Sequence, residues 1–412
     1  MAEQDKTKNR ILGWELYFKV PEWDKTFGLV ELQSVNIGYD INSGLPMCKI
    51  VFKVDTTFSD KLLSYHTGTL IIVNKNFVEN NPEEVFSIEL QSVIQGGKYP
   101  RREGSDANSH LITTMIPVRY ICKNTALLNQ NIVGGVYNEK NLTDIIKDLY
   151  QQTKCEIPLK LEELDNKNVY ENIFVPQTKF TNAIKVLNNS YGLYNSQLLM
   201  FADTFNQNDP KSFRITSTNK IKSDDINLIS IPDVIGEEKK KSISTKTYYT
   251  YLPININNNF SKIIQKIPKK LNCIALDNDK FFTRKEIKIK DVFNSIGFSD
   301  NIDQFENTNP QFEEMNLTCN NRENFDFSVN DMLQRIANGA IQTEPILIPP
   351  PYLMEHWKIG NIIHYKSMHE AYIKTDINFF IYGVLYVWRQ SPNSGAWNCT
   401  LKIRPGAISI RK

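Results

Sequence analysis

The chain has 412 residues, 41% hydrophobic and 23% charged, which excludes a disordered polymer and leaves room for two to three domains with cores of their own. Lysine and arginine number 48 against 46 aspartates and glutamates, a net charge of +2, so no global electrostatic argument favours nucleic acid or an anionic membrane. The longest apolar stretches, such as Phe379 to Trp388, reach about half of the ~20 residues that span a bilayer, and no stable membrane association is expected.

The arm Met1 to Arg10 is polar and lacks the apolar stretch of a secretory signal, so no export by that route is expected, and disorder of this arm in the free protein is the default. From residue 28 the pattern is β. Leu29 to Ile37 alternates, turns at Asn42-Ser43-Gly44 and resumes from Cys48 to Val54, the pattern of a hairpin. Further alternating runs lie at Gly68 to Val73, Val85 to Gln95 and His110 to Tyr120, separated by Asn, Pro and Gly clusters, as in an antiparallel barrel or sandwich. Residues 1–125 are therefore expected to be all-β, a first barrel completed by about 206–245.

The middle changes period. Leu142, Ile145, Ile146, Leu149 and Tyr150 recur at helical spacing behind Asn141 as N-cap. A second helix runs through Phe180, Ala183, Ile184 and Leu187, is stopped by Gly192 and is followed by the strand Gln197 to Phe201. Residues 126–205 thus form an α/β insertion. In 246–345, expected to be an intermediate domain and part of a second barrel, Ser328 to Asp331 reads as a capping box ahead of Met332, Leu333 and Ile336. The stretches 224–241 and 255–259 read as loops. After Pro349-Pro350-Pro351, strands are expected at Trp357 to Tyr365, Ala371 to Tyr386 and Trp397 to Ile403, so that 346–412 closes a second β-barrel. The fold class is mainly β with an α/β insertion: two tube-like antiparallel barrels plus smaller α/β domains.

The two ends match without a gap. Asn42, Ser43, Gly44 and Cys48 lie over Asn393, Ser394, Gly395 and Cys399, each set behind an alternating strand. Two copies of one barrel would leave this trace, and coincidence in an asparagine-rich chain is the other reading.

Motifs that carry chemistry are absent from most of the chain. No GxGxxG or GxxxxGK[ST] cradles a phosphate, so nucleotide enzymes are disfavoured. Ile132-Val133-Gly134-Gly135 looks like an activated protease N-terminus, but no nucleophile turn follows it, and it reads as accidental loop sequence. Among His356, His364, His369 and Glu370, positions 364 and 369 point to opposite faces of a strand, which argues against convergence on a metal. The pairs Glu162-Glu163, Glu237-Glu238 and Glu313-Glu314 lack an apolar pocket to raise one pKa, and Lys98 to Arg102 and Lys239 to Lys241 are short basic stretches that read as solvated charge. Six cysteines stand singly, as reduced small hydrophobes of a protein made in a cytosol. No catalytic, cofactor-binding or metal residue is assigned, and no enzyme is expected.

A resemblance covers under half of the chain. Phe174-Val175-Pro176-Gln177, Ala183 to Leu187, Tyr191-Gly192-Leu193-Tyr194-Asn195-Ser196 and Phe201-Ala202-Asp203 resemble the α/β insertion of baseplate hub proteins of contractile-tailed bacteriophages, where "VPP…AI..L…YG.Y.S…F.D" recurs. Trp357 to Ile363 with Gly360, Tyr382-Gly383-Val384 and Trp397 to Ile403 resemble the closing barrel of hub and spike-base proteins. Trp388 departs from the pattern near a position where histidine is common, and 206–340 shows no matching motif.

That resemblance implies tandem tube-like barrels and a homotrimer whose barrels make a pseudo-hexameric ring. It implies a structural role joining the six-fold tail tube, or a tube-initiator protein, to the three-fold central spike. Tape measure protein and baseplate wedge are further implied partners, with DNA passing only in transit. The place is the virion, in the tail baseplate, after synthesis in the host bacterial cytoplasm. A distal-tail or receptor-adsorption protein is the other structural reading, and a virion-associated cell-wall hydrolase the enzymatic one.

Overall fold

Period-two alternation builds the N-terminal part of the molecule. The computed structural model describes residues 13–41, 44–75, 84–93, 99–102, 112–203, 212–221, 225–230, 247–250, 257–258, 267–275, 283–286, 288, 314–319, 324–338, 341–342, 346–347, 357–367, 376–391 and 396–407. Its first strands are β1 (Trp14–Val20), β2 (Lys25–Phe27), β3 (Leu32–Asp40), β4 (Met47–Asp55), β5 (Thr67–Asn74), β6 (Glu84–Val93), β7 (Tyr99–Arg102) and β8 (Ile112–Cys122). Every second residue of β5 is buried, because successive side chains on a strand point to opposite faces. Two short helices correct the all-β expectation for 1–125: α1 (Thr56–Leu63), capped by the Asp55 carboxylate accepting the Phe58 N–H at 3.0 Å, and α2 (Lys123–Gln130). Eight residues hold barely two turns, too few for a 3.6 period to stand out.

The insertion follows as β9 (Ile132–Asn141), α3 (Leu142–Gln152), β10 (Leu159–Leu161), β11 (Val169–Lys179), α4 (Phe180–Tyr191), β12 (Leu198–Ala202) and β13 (Phe213–Ser217). Both helices fall where the apolar spacing puts them. Asn141 accepts the Asp144 N–H at 2.9 Å, and Ile145, Ile146, Leu149, Ala183, Ile184 and Leu187 share one buried core with Phe213 and Ile215. Residues 132–135, expected to be loop, are the start of β9, which pairs antiparallel with β11.

The remaining elements are β14 (Asp225–Ser230), β15 (Thr247–Thr250), β16 (Asn257–Asn258), β17 (Lys270–Ala275), β18 (Thr283–Glu286), β19 (Glu314–Cys319), α5 (Asn324–Asn338), β20 (Ile341–Gln342), β21 (Ile346–Leu347), β22 (Ile362–Ser367), β23 (Asp376–Gln390) and β24 (Trp397–Ala407). Helix α5 begins four residues before Ser328. The expected capping box therefore lies inside the helix, where its side chains make tertiary contacts described below. Residues 255–259, expected to be loop, contribute β16, and 224–241 contributes β14.

One sheet runs through both ends of the chain, in the order β15-β14-β22-β23-β3-β4-β8-β6-β5-β1-β2, with β24 on β23, β21 on β24 and β7 on β8. Its pairing is antiparallel except at β14, which runs parallel to both β22 and β15. The segment expected to complete the first barrel, 206–245, thus contributes a strand whose partners lie on the C-terminal side of the sheet. The sheet rolls around its own apolar face. Trp14 on β1 lies six strands along the sheet from Trp388 on β23, yet their rings meet edge to face at 5.7 Å. Leu16, Phe18, Leu70 and Ile72 accordingly share one core with Tyr386, Trp388, Leu401 and Ile403. Among the described residues no helix is long and apolar enough to cross a membrane.

Candidate functional site: the sheet shared by two hairpins

The sequence singles out two hairpins, and the sheet brings them together. In the first, Ile37 on β3 faces Cys48 on β4, and in the second, Trp388 on β23 faces Cys399 on β24. Both members of the second pair stand 351 positions after those of the first, so the gap-free overlay of the sequences is also an overlay of register. Burial follows the same alternation. Cys48, Ile50 and Phe52 point inward on β4, and Cys399, Leu401 and Ile403 point inward on β24. Both thiols are pushed up by burial and stay protonated, which removes them as nucleophiles.

The first strands of the two hairpins pair with each other. Strand β23 runs antiparallel to β3 from Gly383 opposite Asp40 to Arg389 opposite Ser34. Asn36 faces Val387, its own counterpart at the same 351-residue offset. On the inner face Val35, Ile37, Tyr386 and Trp388 are all buried, with the Tyr386 and Trp388 rings stacked at 5.6 Å. Each fully buried large side chain contributes roughly 1.5–3 kcal/mol of transfer free energy, so this seam is apolar packing as well as a hydrogen-bond ladder.

Of the two turns, only the end of the first is described. Asn42, Ser43, Asn393, Ser394 and Gly395 lie outside the described residues. Gly44 has φ +70, and its carbonyl accepts the Ala202 N–H at 2.9 Å, while the neighbouring Leu45 joins the core of the insertion. The first hairpin is therefore docked into the α/β insertion by its tip.

The remaining motif residues are placed individually. Pro176 sits at a β-bulge of β11, between Val175 and Thr178, where its missing N–H takes no ladder bond away. Gly134 lies across from it, and a Cβ there would stand 2.9 Å from the Val175 carbonyl oxygen. Tyr191 closes α4 with its ring 4.7 Å from Tyr170. Gly192 caps that helix at φ +68, and an added Cβ would overlap Phe327 of α5. Tyr194 is fully buried and donates its hydroxyl to the Glu162 carbonyl at 2.9 Å; burial, with the nearby Glu162 and Asp165 carboxylates, pushes its pKa up. Gly360 has φ +91 under Ile221, and its N–H donates to Ile381 at 2.8 Å. Gly383 follows a bulge on β23, and Trp397 opens β24 opposite Gln390.

Sequence reasoning missed the contacts of α5. Asp331 accepts the Leu198 N–H at 2.8 Å and pairs with Arg335, and Gln334 accepts the Gln197 N–H at 2.7 Å. Ser328 donates to the Asn189 carbonyl at 3.2 Å, and the Gln197 amide reaches the Tyr382 hydroxyl on β23 at 2.7 Å. The i, i+3 spacing of Asp331 and Gln334 was the available signal. Elsewhere, His364 lies on β22 opposite Asn378, while His356 lies outside the described residues, as do His369 and Glu370. Among the described residues no group of three His, Cys, Asp or Glu side chains converges as a metal site.

Comparison with known proteins decides the family. The family model described as bacteriophage PBS1 gene 109 protein matches residues 29–282. The chain belongs to that family. Solved structures share its fold: the tail protein from Neisseria meningitidis MC58 has a TM-score of 0.56 at 10% identity, over 95% of this chain and 96% of that one. The 43 kDa tail protein of prophage MuSo2 from Shewanella oneidensis has a TM-score of 0.53 at 10% identity, over 96% and 99%. A chain of the lidded Francisella PdpA-VgrG complex has a TM-score of 0.50 at 11% identity, with 98% of this chain covering 55% of that one. No curated protein sequence matches. The resemblance to hub-like phage tail proteins is thus one of family and of fold.

Proposed function

We propose that the chain is a structural hub subunit of a bacteriophage tail baseplate, and that its two hairpins belong to two copies of one tube-like barrel. The observation that carries this reading is the register: two hairpins related by one sequence offset, paired through their first strands about the Asn36 and Val387 pair. A local two-fold relation of that kind is what duplication of one barrel leaves, and three such chains offer six similar units to a ring. Three-fold symmetry then serves a central spike, and six-fold pseudo-symmetry serves the tail tube or tube-initiator protein. Tape measure protein and baseplate wedge are the further partners, and DNA is a passenger.

The mechanism is mechanical. A rigid ring seats the spike and leaves a channel behind it, and this requires buried interfaces of the obligate class, ~2,000 Å² or more, rather than a catalytic residue. Its place is the virion.

The test is the solution mass by light scattering over a concentration series, alone and with a candidate spike protein added. A species of three times the 47.6 kDa chain, alone or on spike addition, is expected. A monomer indifferent to concentration and spike would overturn the ring and bring forward an adsorption module tested on whole host cells. Cleavage of purified peptidoglycan would overturn the non-enzymatic reading.

A further inference from the structure

The helices of the insertion cover one face of the two-stranded ribbon of β9 and β11 and leave the other bare. Val133, Tyr137, Ile173 and Val175 point inward and belong to the core that α3 and α4 share. Alternation sends Ile132, Val136 and Phe174 to the opposite face. Val136 and Phe174 stand directly across the strands from each other and are each 68% exposed, and Ile132 is 58% exposed. Phe174 is thus the most exposed aromatic ring among the described residues. By contrast β12, in the other sheet of the insertion, is buried along its whole length.

Charge is laid out unevenly along this face. Lys179 stands opposite Ile132 at one end. Toward the other end Glu139 lies at φ +52, a left-handed conformation that residues with a Cβ rarely adopt, and it interrupts the alternation. Past it Lys140 and Tyr170, which pair across the strands, turn toward the core: Lys140 Nζ lies over the Tyr137 ring at 5.6 Å, and the Tyr170 ring meets Tyr191 at 4.7 Å. That turn leaves Glu139 and Glu171, its neighbour across the ribbon, on the outer side. Lys179, Glu139 and Glu171 are exposed, and none has an ion-pair or hydrogen-bond partner among the described residues. At about 3.4 Å per residue the cation lies about 14 Å to one side of the Val136 and Phe174 pair, and the carboxylates about 10 Å to the other.

Such a face is its own complement. Turned end for end about an axis that crosses the strands at Val136 and Phe174, a second copy sets its carboxylates over Lys179 and its Lys179 over the carboxylates, while the apolar side chains meet between them. Sheets stacked face to face lie about 10 Å apart, a gap that a lysine and a glutamate side chain span together. We propose that the outer face of the ribbon pairs with the same face of a second copy of this chain, about a two-fold axis through Val136 and Phe174. A partner surface of one charge sign would match one end and repel the other, which favours the second copy as the occupant. The contact goes beyond the hub reading and does not rest on it. A polar three-fold ring has no two-fold axis across it, so the pairing joins free chains or two rings, and it keeps the apolar face from water before assembly. A footprint of two strands is small for a specific interface, so the pairing depends on concentration.

The test is light scattering of the full chain over a concentration series at low and high salt. A species of two or six times the 47.6 kDa chain is expected, weakening as salt rises. Phe174→Ser, at a side chain outside the core, should raise the dissociation constant of the pair tenfold or more. Lys179→Glu sets like charges against each other at both ends and should do the same, with the salt dependence reversed. The triple variant Lys179→Glu, Glu139→Lys, Glu171→Lys should restore pairing. A parent without even-numbered species at any concentration overturns the proposal, as does an even-numbered species that ignores both single variants. Failure of the triple variant to restore what Lys179→Glu loses overturns the end-for-end arrangement. An unpaired chain that binds a baseplate protein through Phe174 also overturns it and gives the face to that partner. The masses keep the two readings apart: a trimer without a hexamer sinks the pairing alone, and a dimer that forms neither trimer nor hexamer, with or without spike, sinks the ring alone.

Discussion

His66 shows how one buried polar group fits the N-terminal core. It follows α1, is fully buried, and lies among aromatic rings, with Trp23 at 4.7 Å and Tyr120 at 5.5 Å between centroids. Nδ1 is 2.8 Å from the Ser64 carbonyl, which can only accept, so Nδ1 carries the proton. Nε2 then accepts from the Tyr120 hydroxyl at 2.8 Å. A second proton on the ring would make Nε2 a donor and force the Tyr120 hydroxyl to turn and accept, inside an apolar pocket that disfavours the charge. Burial accordingly holds the His66 pKa below its ordinary value of 6.5, against weaker opposing effects of the Ser64 carbonyl and Glu22. The unfolded chain therefore binds a proton before the folded one does. His66's favourable contribution is complete above about pH 6.5 and is lost as pH falls through that value toward the folded pKa. Urea midpoints measured from about pH 7.5 to 5.5 should fall, and His66→Gln, which keeps a donor and an acceptor, should flatten this part of the profile. Equal slopes in parent and variant would mean that His66 is not the group responsible. Asp331 is distinguishable because burial raises its carboxyl above 3.8, so its contribution changes with pH in the opposite sense.

At the scale of elements, what could be read from the sequence was what local chemistry decides. Helices α3 and α4 were legible because their apolar positions repeat at 3.6 and because Asn141 and Gly192 mark a start and a stop. Strands β4, β5 and β8 were legible from alternation. Strand β1 was missed although Leu16, Phe18 and Val20 alternate, and β9 was masked by Gly134, which is required by close approach to the Val175 bulge rather than by a turn. The parallel pairing of β14 with β22 joins residues more than a hundred positions apart and has no local signal. Helix α5 was found but misplaced, because Ser328 and Asp331 resemble a cap and serve tertiary contacts instead. Those contacts make a prediction. Asp331→Ala leaves the Leu198 N–H without its acceptor, a cost of about 1–3 kcal/mol, and Gln334→Ala does the same to Gln197. Amide exchange at Leu198 should quicken by roughly tenfold or more in the double variant, while Ile72 in β5 keeps its protection. Equal acceleration at both would show global destabilisation and not release of α5 from the insertion.

For the whole molecule, the shared seam ties both ends of the chain into one sheet with one apolar core. Residues 346–412 supply β21 to β24, and β23 lies against β3 while its Trp388 packs on Trp14 of β1. The family match, residues 29–282, likewise leaves out β1 on one side and β22 to β24 on the other, so it marks a shared sequence and not a folding unit. A chain ending at residue 345 would expose the edge of β3 and the apolar wall made by Val35 and Ile37, the kind of open edge that recruits other strands. The fragment 346–412 would carry Tyr386, Trp388, Leu401 and Ile403 with nothing to bury them. Each piece expressed alone should aggregate or lack near-ultraviolet circular dichroism, since a buried Trp core needs both walls. Co-expressed, the two should copurify as one particle with the tryptophan signal of the intact chain, because the antiparallel β3 and β23 ladder and the core behind it need no covalent link. A fragment 1–345 that folds cooperatively by itself would refute the single-core reading, and the two repeats would then have to be treated as independent barrels joined by a loose edge.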